Sequence, residues 1–209
     1  MTKAEERLLD RSPSGEREAM PLGCPPQNST ELTWMHNIAQ GDSVALTQLI
    51  QTYQNDIRTL IGRLTAWGSD VDDLTQEVFI KAWKNARHFR ESTSLRNWLY
   101  TITVNHCRNH QRSLRRWWRT LHHFMEQKYH EQSPSRSALE HHDESWRELQ
   151  LGLLQLTVKD RELLVLTYME QRSSTEIARI LSITENNYYV RLHRAKQRLA
   201  EVLNQSTKR

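Results

Sequence analysis

The stretch SSTEIARILSITENNYYVRLHRAKQRL, residues Ser173 to Leu199, decides the fold. Ser173 is followed three residues later by Glu176, the spacing of a capping box, so a helix starts there. Ile177, Ala178 and Leu181 form its apolar side, and Ala178 is small enough to let a second helix cross closely. Ser182-Ile183-Thr184 reads as the turn, with Ile183 inward and Thr184 capping a second helix. On that helix Tyr188, Leu192, Ala195 and Leu199 share one face. The opposite face carries Asn186, Tyr189, Val190, His193 and Arg194, side chains that contact base edges and phosphates when a helix lies in a major groove. A plain helical hairpin with a polar outer side gives the same pattern, and residues 173–199 alone leave both readings open.

Working outward, apolar residues recur at three and four elsewhere: Ile57, Leu60, Ile61 and Leu64, then Val71, Leu74, Val78 and Ala82. No strand pattern accompanies them. The fold class expected is all-α, with two small helical domains joined by a flexible linker and the helix-turn-helix in the second. Four of the five prolines fall in the first 30 residues, which reads as a flexible tail over 1–30. The other, Pro134, sits in Ser133-Pro134-Ser135, where apolar periodicity is lost. The expected division is therefore a first domain over 31–112, a linker over 113–145 and a second domain over 146–205.

Composition narrows the function classes. The 209 residues carry 29 Lys plus Arg against 25 Asp plus Glu, a formal charge of +4, and only 37% are hydrophobic. Residues 31–100 hold 7 basic and 8 acidic side chains, while 146–209 hold 11 and 7, so the second domain is the basic one. Between Asn105 and Thr120 stand five arginines and no acid; Arg108, Arg112, Arg115 and Arg119 share a helix face, with Trp117 and Trp118 beside them. Such a stripe suits phosphates and stacked bases, or else a solvated or membrane-surface helix. The longest apolar run, Leu163 to Leu166, is far short of the roughly 20 residues that span a bilayer. No secretory signal is read at the N-terminus, and a cytoplasmic location is expected.

Two cysteines, Cys24 and Cys107, are too far apart in sequence for a paired thiolate knuckle. Seven of ten histidines lie between His106 and His142, without zinc-ligand spacing. A metal or redox sensor built from these residues is the weakest of the readings, and no cofactor and no metal are expected. No nucleophile, metal triad or glycine-rich phosphate loop accompanies the carboxylates near Asp70, so no enzyme is expected.

Asp70-Val71-Asp72-Asp73-Leu74-Thr75-Gln76-Glu77-Val78-Phe79-Ile80-Lys81-Ala82-Trp83 closely resembles the D-x-x-D-L-x-Q-E-V-F-x-x-A-W signature of extracytoplasmic-function (ECF) sigma factors of bacterial RNA polymerase. The resemblance continues through Phe89-Arg90, Ser94 to Tyr100 and Asn105. It resumes at Asp160-Arg161-Glu162 and runs to Ala195, covering both domains in order.

The resemblance implies a subunit that binds core RNA polymerase, recognises promoter −35 and −10 elements and assists melting. It implies that Asp73, Gln76, Glu77 and Lys81 meet the clamp helices of the largest polymerase subunit. A solvated helix face explains the same carboxylates, and both can hold together. By resemblance the −10 element is met by Phe89, Arg90, Leu95, Arg96, Asn105, Arg108 and Arg112, and the −35 element by Asn186, Tyr189, Val190, His193 and Arg194. Leu95 stands where relatives often carry Phe, and Glu91 where many carry Gly. Relatives commonly carry Lys or Arg where Tyr189 stands, and Ser where Val190 stands, so base preference does not transfer. Trp98 and Tyr100 are expected in the core. The implied partners are core polymerase, promoter DNA and an anti-sigma factor, with no insertion into a membrane. A stand-alone helix-turn-helix repressor is the alternative from the basic second domain alone.

Overall fold

The computed structural model describes residues 29–65, 68, 70–124 and 144–206, without the side chains of 115–148. The described residues form eight α-helices and no strand. They are α1 (Ser29–Ala39), α2 (Ser43–Thr65), α3 (Val71–Asn85), α4 (Leu95–Phe124), α5 (Glu144–Gln155), α6 (Val158–Leu164), α7 (Ser174–Leu181) and α8 (Glu185–Ser206). A 3-10 turn, Ala86–His88, follows α3, and a π-helical turn, Val165–Met169, follows α6.

The first three helices pack with α4 into one bundle, and the reason is periodicity. In α2, Ala45, Leu49, Tyr53, Ile57, Leu60, Ile61 and Leu64 are buried, one stripe down a single side. In α3 the stripe is Val71, Leu74, Val78, Phe79 and Ala82. α1 joins α2 through Gly41, whose φ of +95° suits a residue without Cβ. Asp42 then accepts the Val44 backbone N–H at 2.8 Å, satisfying one of the free donors at the start of α2.

The C-terminal helices are fixed by their caps. Thr157 caps α6 by accepting from the Asp160 backbone N–H. α5 approaches α8 closely because Gly152 has no side chain: a Cβ there would stand 2.9 Å from Leu203 Cδ2 and 3.4 Å from Leu199 Cδ1.

Two features depart from the sequence reading. α4 does not stop near residue 112 but continues to Phe124, well into the stretch expected as linker. Residues 113–124 contain neither Gly nor Pro, and nothing in them breaks a helix already nucleated upstream. The two helical regions also share one buried apolar cluster, running from Met35 through Leu99 and Val104 to Leu163, Ile177 and Ala195. The core is continuous between them.

Candidate nucleic-acid and polymerase interfaces

On α3, burial of Leu74, Val78 and Ala82 turns Asp73, Gln76 and Glu77 outward, where all three are exposed; Lys81 is half-buried beside them. Ile80 belongs to the same side and is 51% exposed, an apolar spot that periodicity alone did not single out. Glu77 Oε2 lies 3.0 Å from Nε2 of His106, and Asp70 Oδ2 lies 3.1 Å from Nε2 of His110. The i, i+4 histidine pair of α4 thus faces the carboxylates of α3, and no three ligands among the described residues are grouped to hold a metal. Burial, reinforced by Lys81, holds the His106 imidazole below its ordinary range, with Glu77 opposing.

The residues implied for the −10 element are not all on one surface. Arg90, Asn105 and Arg112 are exposed. Phe89 is half-buried, its ring edge-on to Trp98 at 5.5 Å. Arg96 is paired with Asp56 and lies over the Tyr53 ring at 5.4 Å. Leu95 is a correction: it is 1% exposed and belongs to the core, because the first turn of α4 points it at the bundle. Its side chain is not available to a base. Tyr100 is buried as expected, and Trp98 is half-buried against the core.

Several of these groups are already engaged by the C-terminal region. Arg108 grips Glu162 through Nε to both carboxylate oxygens (2.8 and 2.9 Å) and Nη2 to Oε2 (2.6 Å). Asn97 Nδ2 donates to Glu176 Oε1 at 2.9 Å. Glu170 accepts from Arg63 Nη1 at 2.7 Å and from the Tyr100 hydroxyl at 2.7 Å. Arg172 stacks over the Tyr100 ring at 5.3 Å. Arg161, 7% exposed, donates to the Leu64 carbonyl of α2 and to the Leu153, Leu154 and Leu156 carbonyls ending α5. One cation thereby serves the C-termini of two helices, one from each region.

Three glutamates of the C-terminal region are therefore ligands for the first. Burial raises the Glu162 carboxyl above its ordinary range even with Arg108, Arg161 and Arg112 opposing. Burial pushes Glu176 up as well, but the Ser173 N–H, the Asn97 amide, the Ser173 hydroxyl and Arg172 together hold it below.

The helix-turn-helix is built as its sequence implies. The Ser173 hydroxyl accepts from the Glu176 N–H at 3.3 Å while Glu176 Oε2 accepts from the Ser173 N–H at 3.0 Å. Ser182 ends α7 in the left-handed region, φ +55° and ψ +50°, and the Ile183 N–H returns to the Ala178 carbonyl at 2.9 Å. Thr184 Oγ1 accepts from the Asn187 N–H at 3.2 Å. Tyr188 and Ala195 are buried, and Leu192 and Leu199 pack on the core. Asn186, Tyr189, Val190, His193 and Arg194 are exposed together on the outer face. Tyr189, 58% exposed, is steadied by its hydroxyl to Ser174 Oγ at 3.3 Å and by the edge of Tyr188 at 5.0 Å.

Cys107 is buried, and burial pushes its thiol up to about 12, the behaviour of a packed rather than a reactive cysteine. Cys24, and the side chains of Arg115, Arg119, Trp117 and Trp118, lie outside the described residues.

A helical bundle with an outward acidic helix, followed by a helix-turn-helix with a polar reading face, defines a class of DNA-binding transcription proteins. The chain matches Sigma-70 region 2 over residues 49–119 and Sigma-70 region 4 over 146–199, together more than half its length. The ECF RNA polymerase sigma-E factors of Haemophilus influenzae and Escherichia coli K12 are each 35% identical over 81 residues, 39% of this chain and 42% of theirs. The aligned stretch thus spans about two fifths of those relatives. Among solved structures, CnrH in complex with the cytosolic domain of CnrY matches with a TM-score of 0.60 at 22% identity, covering 84% of this chain and 98% of that one. The sigma factor RpoE in complex with the anti-sigma factor NepR from Bartonella quintana matches with a TM-score of 0.59 at 23% identity, covering 76% and 96%. Both share the fold. The chain carries Sigma-70 regions 2 and 4 in that order and belongs to the sigma-70 family.

Proposed function

We propose that this protein is a promoter-specificity subunit that binds core RNA polymerase and directs initiation at promoters bearing its own −35 and −10 elements. The observation that carries the reading is the ordered pair of sigma-70 regions, with an exposed helix-turn-helix face in the second. In this reading 31–112 and 146–205 are the two working domains and 113–145 joins them.

The outward side of α3, with Asp73, Gln76, Glu77 and Lys81 around Ile80, meets the clamp helices of the largest polymerase subunit. An apolar centre ringed by charge is the usual anatomy of a protein interface. Elsewhere on the first domain, Phe89, Arg90, Arg96, Asn105, Arg108 and Arg112 serve the −10 element. Unpaired bases of the non-template strand stack and hydrogen-bond there, and that binding offsets unstacking without a nucleotide-driven step. Asn186, Tyr189, Val190, His193 and Arg194 enter the major groove of the −35 element. The protein supplies contacts and no catalysis, and it works in the cytoplasm.

The pairing of Arg108 with Glu162 and of Asn97 with Glu176 has a direct consequence for this reading. Promoter DNA must displace the carboxylates, so the two regions part before the −10 strand is held. An anti-sigma partner is part of the proposal, because similar folds occur in complex with such factors.

The test is in vitro transcription by purified core polymerase and this protein on fragmented genomic DNA, with sequencing of transcript starts. Starts sharing two upstream elements are expected. Absence of core binding, with tight binding of the isolated chain to a specific duplex in a gel shift, would instead establish the repressor.

A further inference from the structure

A cleft of about 520 Å³ opens where the two regions meet, lined among others by Arg108 and Arg112 of α4, Lys159 of α6, Ser182 of the turn and Arg191 of α8. Four of its lining residues are cations and none is a carboxylate. Arg108 is committed to Glu162 at the edge. Arg112, Lys159 and Arg191 form no ion pair with any described residue, although Arg112 also feels the Glu162 carboxylate that Arg108 neutralises.

Arg191 matters most in this arrangement. It is half-buried and turned into the cleft, away from the outer face that carries Tyr189, His193 and Arg194. Cations that converge on a concavity between low-dielectric walls raise a focused positive potential, unlike the same charges spread over a convex surface. The volume falls in the range of small-molecule sites, roughly 300–1,000 Å³. A duplex, whose major groove alone is about 12 Å wide, is too broad to enter such a space.

We propose that this cleft binds a small polyphosphate anion, either inorganic or the phosphate tail of a nucleotide. Arg112, Lys159 and Arg191 are its cationic walls and the Ser182 hydroxyl a neutral donor. Guanidinium and ammonium groups suit this task, because each phosphate oxygen accepts charge-assisted hydrogen bonds. Since the walls come from both regions, the anion binds only their docked arrangement and stabilises it in proportion to its occupancy. Polyphosphate and promoter DNA are then mutually exclusive ligands. The site itself rests on the cleft and stands whether or not the chain serves polymerase.

The experiment is calorimetric titration of the full chain with inorganic tripolyphosphate and, separately, guanosine triphosphate, without divalent metal at about 0.15 M salt. Saturable one-to-one binding is expected for at least one of them. Lys159→Gln is expected to weaken it about tenfold, the loss of one charge-assisted contact. Lys196→Gln, at an exposed cation of α8 outside the cleft, should leave the affinity unchanged. Equal affinity for the two probes assigns recognition to the phosphate tail; tighter guanosine triphosphate adds contacts from the nucleoside. No saturable binding of either probe would overturn the proposal, as would equal weakening by the two lysine variants, which marks diffuse attraction only.

Discussion

Arg108 of the first region and Glu162 of the second form a three-bond clamp of 2.6 to 2.9 Å, with the glutamate side chain 2% exposed and the arginine 23% exposed. Removing one partner of a buried pair strands the other, at about 3–5 kcal/mol when both are fully buried. With Arg108 partly solvated, Glu162→Ala is expected to lower the unfolding free energy by about 2–3 kcal/mol in urea titrations. The same variant frees Arg108, so the isolated chain should bind a single-stranded −10 oligonucleotide more tightly by fluorescence anisotropy. Unchanged anisotropy beside a lowered stability would sever the clamp from DNA binding.

Ser173 and Glu176 satisfy two orphan donors at the start of α7. Ser173→Ala is expected to cost about 1 kcal/mol, read as a lower thermal midpoint. Glu176 also holds Asn97, so Glu176→Gln should cost less than Glu176→Ala: the amide oxygen still accepts from Asn97.

The sign of one pH effect follows from His106. Its folded value lies below the ordinary 6.5, so the unfolded chain takes up the proton first. Its share of stability is complete above pH 6.5 and is lost as pH falls through the folded value. Urea midpoints should decline on acidification below pH 6.5, and His106→Gln should flatten that part of the profile. A wild-type midpoint level between pH 7 and pH 5.5 would contradict this.

Ser182 pays for its left-handed backbone at the helix-turn-helix corner. Glycine adopts that conformation without the Cβ penalty of roughly 1 kcal/mol, partly offset by its greater freedom when unfolded. Ser182→Gly is expected to raise stability by about 0.5 kcal/mol, measurable as a higher thermal midpoint.

For the proposed polymerase face, Asp73→Ala and Gln76→Ala are each expected to weaken core binding about three- to tenfold. Both side chains are exposed, so melting curves should stay within about 0.5 kcal/mol of wild type. Unchanged core affinity in both variants would move the interface elsewhere.

Much of this architecture is legible in the chain. Wherever local rules sufficed, reading and structure agree: the stripes of α2 and α3, the Ser173 capping box, the turn at Ser182 to Thr184 and the outward set from Asn186 to Arg194. Leu95, which the motif places at the −10 element, is buried in the core, and burial of that position is not legible from the motif alone. α4 runs on to Phe124, inside the stretch expected as linker, because that stretch contains no helix breaker; the helical spacing of the arginines from Arg108 to Arg119 already pointed that way. Glu162, Glu170 and Glu176 gave no sign of their partners in the first region, although Glu176 is legible as half of a capping box and Glu162 as part of a motif. Each partner lies 54, 107 or 79 positions away, at Arg108, Arg63 or Asn97. Only the docking of one region on the other makes them partners.

Finally, α4 runs for 30 residues without Gly or Pro, about 45 Å of unbroken helix. In mechanical terms it is a lever. Its root, at Leu95 and Leu99, is locked in the bundle, while its far end at Phe124 hands the chain to residues 125–143. The helix stays buried as far as Cys107, so a tilt of about 10° pivots there and sweeps Phe124 through roughly 4 Å. Force applied to the connecting segment is thus delivered along a stiff arm to Arg108, at the clamp that holds the two halves together.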